Sequence, residues 1–144
     1  MIYNQYSVSH IRAYLAQIYG AASLVLNDQS FAANFGTMTA NVPESLPVQI
    51  PANSDFLLLE IAVATTELLL SKSKIQISDS TSGETFFNVA TPVSAVCTIE
   101  STLSQLPWPR FVQGNTTLYV TLTPDATTTS PVIVSLLGVG IRKG

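Results

Sequence analysis

Charge is what this chain has least of. Lys and Arg number 6 and Asp and Glu 9, so charged residues make up 10% of 144, where about a quarter is usual. The basic residues Arg12, Lys72, Lys74, Arg110, Arg142 and Lys143 are scattered, and no Lys or Arg occurs from Ala13 to Ser71. Nucleic-acid binding needs a basic stripe to neutralise phosphates, and anionic membrane surfaces need a basic cluster. With a net charge of -3 and this scatter, no direct nucleic-acid or membrane partner is expected. Cysteine occurs once, at Cys97, which excludes an intrachain disulfide and disfavours a cysteine-built metal site. Cys97 reads as a small core residue in the apolar run Val93–Ile99. His10 is the single histidine, so no multi-histidine metal site can form. The longest apolar runs, such as Phe56 to Leu59 and Ile61 to Ala64, are strand-sized, far below the roughly 20 residues of a membrane helix. The amino terminus lacks the basic start and continuous apolar core of a secretory signal, and the chain is expected to be made and kept in the cytosol.

Catalytic groupings are missing as well. Asp28, Glu44, Asp55, Asp79, Glu84 and Asp125 fall in expected loops, where carboxylates serve turns. Glu60 and Glu67 lie within or beside an apolar strand, and nothing marks two acids as a hydrolytic pair. The stretch Asp79-Ser80-Thr81-Ser82-Gly83-Glu84 lacks the acid spacing of an EF-hand and reads as a hairpin turn. No enzyme, no cofactor and no metal is expected.

What the chain does contain is 47% hydrophobic residues and a large share of Ser and Thr. Its length suits one domain burying about two-thirds of its unfolded surface. From Leu46 onward, short alternating segments recur between turn formers. Phe56 to Thr66 reads as one strand, with Phe56, Leu58, Glu60, Ala62 and Ala64 on one face and Leu57, Leu59, Ile61 and Val63 on the other. Lys74 to Ser78, Thr85 to Val89, Val93 to Ile99, Thr116 to Thr123 and Pro131 to Arg142 follow. Gly138 and Gly140 in the last segment suggest a bulge or a close backbone approach. About seven or eight strands at regular spacing predict an all-β fold, an antiparallel β-sandwich or jelly roll. The expected division is an amino-terminal helix or arm with an irregular connection over 1–45, and a β-sandwich over 46–144.

The amino-terminal zone is the one helix-capable stretch. Val8, Ile11, Leu15 and Ile18 recur at helical spacing, and Gly20 is placed to end the helix. Tyr3, Tyr6, Tyr14 and Tyr19 crowd around them. One reading is a short helix packed on its own domain; the other is an arm that docks on a neighbouring subunit, where tyrosine combines contact area with a polar tip. On the second reading Tyr3, Tyr6, Val8, Ile11, Tyr14, Leu15 and Ile18 are interface residues. Trp108, the only tryptophan, sits between Pro107 and Pro109 and joins them as an interface or loop anchor. Residues 30 to 45 show no clear period and read as irregular, anchored by Phe31 and Phe35.

The order of the segments Ile50–Phe56, Lys74–Asp79, Ser82-Gly83 with Phe86-Phe87-Asn88, Leu106-Pro107-Trp108-Pro109-Arg110, Asn115–Leu118 and Leu137–Arg142 resembles small structural proteins of tailed bacteriophages, the capsid cement or decoration proteins. The resemblance spans about residues 46 to 142 and carries no catalytic residues with it. It implies a jelly-roll-like sandwich that binds the outside of the major capsid protein shell and stabilises it, on the exterior of a virion assembled in the host cytoplasm. Self-association is expected too, as a trimer on local threefold positions or a dimer on twofold positions. The alternative is a phage tail or host-adhesion module binding glycan or another tail protein.

Overall fold

The computed structural model describes residues 8–20, 23–64, 72–87, 89–93, 97–99 and 109–143. Among them are helix α1 (Val8–Tyr19) and nine strands: β1 (Leu24–Gly36), β2 (Glu44–Gln49), β3 (Asp55–Ala64), β4 (Lys74–Asp79), β5 (Thr91–Pro92), β6 (Cys97–Ile99), β7 (Arg110–Val112), β8 (Thr117–Thr123) and β9 (Val132–Lys143). Two sheets form. The larger runs β1-β9-β3-β6, with β7 also paired to β3; the smaller runs β2-β8-β4-β5.

The pairing is nested. β1 pairs with β9, β2 with β8, β3 with β7 and β4 with β5, all antiparallel. Successive nested pairs fall alternately in the two sheets, which is the rolled-up arrangement of a jelly roll. β6 is an addition: it lies parallel to the second half of β3, beyond the place where β7 pairs with the first half.

Between the sheets lies the main core. β8 places Leu118, Val120 and Leu122 inward, β4 places Ile75 and Ile77 inward, and these meet Phe56, Leu58, Val134 and Leu136 of the larger sheet. The alternation in β4 and β8 is the period-2 pattern expected of strands with one wet face. A second, smaller core lies on the far side of the larger sheet. There Ile11 and Leu15 of α1 pack on Leu57, Leu59, Val139 and Ile141. Each of these two helix residues is at most 1% exposed, and full burial of such a side chain stabilises by about 1.5–3 kcal/mol. The helix is thus packed on its own domain. Gly20 ends it in the left-handed region (φ 68), with its N–H donating to the Ala16 carbonyl at 2.9 Å.

Three sequence expectations need correction. Residues 30 to 36 are not irregular: they complete β1, paired along its length with β9. The strand serves two layers. Leu24 and Leu26 pack toward the helix, whereas Phe31, Ala33 and Phe35 pack into the main core. The buried parity therefore changes within one strand, which hides its period. Second, the alternation in β3 breaks. A bulge between Leu58 and Glu60 shifts the register against β9, so Ile61 and Val63 join Phe56 and Leu58 in the main core, not Leu57 and Leu59. Third, Thr85 to Val89 is no strand. Thr85 makes one bridge to Ser78, and the Gln76 amide then takes over: its Nε2 donates to the Phe87 carbonyl (2.7 Å) and its Oε1 accepts from the Phe87 N–H (3.2 Å). Of Val93 to Ile99, Cys97–Ile99 is strand β6, and 94–96 lie outside the described residues.

Gly138 shows why β9 can follow this bulge. A Cβ at Gly138 would lie 1.9 Å from the Leu57 carbonyl oxygen. That is backbone and cannot rotate away. Gly138→Ala is expected to cost about 3 kcal/mol or more, read as a lower urea midpoint with an unchanged denaturant slope. A cost below about 1 kcal/mol would show that β3 and β9 can separate freely.

Candidate docking surface

The outer face of the smaller sheet follows directly from strand alternation. Every inward Leu, Val or Ile of β2, β8 and β4 leaves its neighbours pointing out. Three cross-strand rows result. Ser45, Thr121 and Gln76 form one; Pro47, Tyr119 and Ser78 the next; Gln49 and Thr117 the third. The Thr121 hydroxyl donates to the Ser45 oxygen (3.1 Å), and the Thr117 hydroxyl donates to Gln49 Oε1 (2.6 Å). Lys74, paired across from Thr123, is the one charged residue on these rows. Tyr119 lies in the middle row, 43% exposed, on a strand whose inward residues are fully buried. The face is neutral, hydroxyl-rich and rigidly backed.

The amino-terminal candidates sit elsewhere and do not converge. Ile11 and Leu15 are buried in the domain itself, so they are not available to a neighbour while the helix is in place. Tyr14 is half-buried, and Ile18 is 42% exposed on the helix surface. Val8 begins α1. Tyr3, Tyr6 and Trp108 lie outside the described residues. Tyr119 is legible in the sequence only as one outward residue of a strand; nothing in its neighbours' spacing marks it as the aromatic of a flat face.

Two clefts flank the helix. One, of about 270 Å³, is lined by Tyr14, Asp79, Ser82, Glu84, Phe86, Pro109, Arg110 and Phe111. Its charges are engaged structurally. Asp79 Oδ1 accepts the N–H groups of Thr81 (2.8 Å) and Ser82 (3.2 Å), shaping the hairpin turn read from the sequence. The Arg110 guanidinium lies 4.6 Å above the Phe86 ring and donates to the Thr85 carbonyl (3.4 Å). The other cleft, of about 380 Å³, is lined by Tyr19, Ala52, Asn53, Ser54, Asp55, Ile141 and Arg142. At its edge the Tyr19 hydroxyl donates to Asp55 Oδ2, and Asp55 Oδ1 accepts the Gly114 N–H at 2.7 Å. One carboxylate thus ties the helix end to two loops. The Tyr19 ring also meets Phe111 edge-on, centroids 5.9 Å apart.

Among the described residues no group of three or more His, Cys, Asp or Glu lies close enough to hold a metal ion. No described helix is long and apolar enough to cross a membrane. No family model and no curated protein matches this chain.

Tyr19 is pushed above the usual tyrosine range by burial first, then by its hydrogen bond to Asp55 and the charge there. Its folded form therefore holds the phenol proton beyond the pH, about 10, at which the unfolded chain releases it. The stabilisation is fully present below about pH 10 and declines as pH rises through the folded value. Tyr19→Phe is expected to cost about 1–2 kcal/mol at neutral pH. The gap between variant and wild type in chemical denaturation should narrow above pH ~10. A gap independent of pH would mean that the Asp55 bond does not persist in solution.

Proposed function

We propose that this chain is a non-enzymatic structural protein of a bacteriophage particle, a cement or decoration protein that binds the outside of the major capsid protein shell and stabilises it. The observation that carries the reading is the neutral outer face of the smaller sheet. Protein interfaces deplete charge at their centre and enrich tyrosine, and this face has both properties around Tyr119. Its backing is a closed jelly roll, which keeps the face flat and fixed. The ordering cost of docking such a face is small, because its side chains already sit on rigid strands. Many copies on one shell, each with a modest contact, then add to a strong brace. The order of sequence segments shared with cement proteins supports the same reading. Fold alone would not, since sandwiches host many functions.

The test is co-sedimentation with undecorated capsids of the source phage. Wild-type protein should saturate them at copy numbers of the order of the shell subunits and raise their heat resistance. Tyr119→Ala should weaken binding by about tenfold or more, with folding stability within about 0.5 kcal/mol of wild type, since the residue is exposed. Failure to bind capsids, with roughly a dozen copies or fewer per particle and retention on immobilised glycans, would replace this reading with the tail or adhesion module.

A further inference from the structure

The ends of the two sheets are treated differently. β2 ends the smaller sheet and carries Pro47 in its middle, a residue with no N–H to offer. β5, at the opposite end, is two residues long and one is Pro92. β6 and β7, which share the far edge of the larger sheet, are three residues each, and β7 carries Arg110. Short strands, prolines and long cations are the devices by which natural sheets blunt their edges. β1 has none of them. It ends its sheet, runs 13 residues as LVLNDQSFAANFG, and contains no proline, lysine or arginine. At about 3.3 Å per residue it spans roughly 43 Å, more than twice a usual strand. Its single register irregularity against β9 falls at the very end, between Asn34 and Gly36.

We propose that the β1 edge is an interface between two copies of this chain, paired antiparallel across a two-fold axis into one continuous sheet. The strand is compatible with itself in a register centred on Ser30. That register uses the full length, Leu24 opposite Gly36 of the second copy. It also sets Asp28, the only charge on β1, opposite Ala32, so the two carboxylates do not face each other. Leu26 then faces Asn34, and Ser30 faces Ser30. An antiparallel pairing of identical strands puts the two-fold axis perpendicular to the sheet. It selects the twofold over the threefold mode of self-association and is independent of what the smaller sheet's face binds.

The test is sedimentation velocity on the full chain across a wide concentration range, with two exposed positions varied. Ser30→Glu gathers four carboxylates at the axis, the introduced one and Asp28 from each copy. It should raise the dimer dissociation constant by about tenfold or more at low salt. Ala32→Lys places an ammonium opposite Asp28 of the second copy and should leave the dimer as tight or tighter. Hydrogen exchange on the wild-type chain reads the same edge without substitution: amides within 24–36 should gain protection as concentration rises. A wild-type chain that stays monomeric overturns the proposal. So does a trimer, a Ser30→Glu dimer within about twofold of wild type, an Ala32→Lys variant as weak as Ser30→Glu, or exchange in 24–36 that ignores concentration.

Discussion

The contact on which this fold turns is the passage of β9 past the bulge in β3, where Gly138 lies against the Leu57 carbonyl. β9 is the last strand and pairs with the first, so it closes the roll. It also lies between β1 and β3, and all three contribute side chains to both cores. The bulge makes that double duty possible. Before it, Leu57 and Leu59 face the helix; after it, Ile61 and Val63 face the smaller sheet along with Phe56 and Leu58. One extra residue thus shifts the second half of β3 so that its large apolar side chains serve the main core. A side chain at 138 would hold the strands apart at the point where the two layers of apolar contact meet.

With so little charge, polar atoms in the fold are satisfied mostly by hydroxyls and amides. The buried polar residues among those described are Ser73, Thr116 and Thr128. Ser73 donates to Asp125 Oδ1 (3.1 Å) and accepts the Asp125 N–H (3.0 Å). Thr116 shares a hydrogen bond with Thr81 (2.9 Å). The Thr128 hydroxyl accepts the Met38 N–H (2.8 Å) while its own N–H donates to the Met38 carbonyl (2.9 Å). Those last contacts, with Ala40 donating to Thr127 Oγ1 and Asn41 donating to the Pro124 carbonyl, pin the irregular stretch after β1 to the loop before β9. Burying a hydroxyl without a partner costs about 1–3 kcal/mol, so these pairings hold loops that no ion pair reaches.

How much of this can be read from residues alone depends on whether a segment faces one layer or two. β4 and β8 face one core and water, and their alternation is plain; the sandwich, the helix and the stop at Gly20 are legible for the same reason. The glycines of β9 signal a close approach without saying to what. β1 escapes a reading by period because Leu24 and Leu26 obey one parity and Phe31, Ala33 and Phe35 the other, with Asn27, Asp28, Gln29 and Ser30 between them. The face switch in β3 is hidden because a bulge inside a run of apolar residues leaves the composition unchanged. The amino-terminal stripe is legible as a stripe, but its partner is not: Ile11 and Leu15 have the same spacing whether they meet their own sheet or a neighbour's. As for the docking face, its neutrality is implicit in the scarcity of charge, while its extent depends on cross-strand register, which no single segment carries.

Edge and face have a joint consequence. If two copies share one sheet through β1, the perpendicular axis keeps both smaller sheets on the same side of it and both helices on the other. The two neutral faces then point the same way. A surface that repeats its subunits would meet both at once, and the second contact would form at an effective concentration set by the rigid spacing of the pair. Each face could remain weak, as a flat hydroxyl-rich surface with one tyrosine must be, while the pair holds firmly. Scarce charge also fits that geometry. Two parallel faces brought close together would repel if each carried the usual density of one sign, and with Lys74 as the single charge on the rows of each face that repulsion is small.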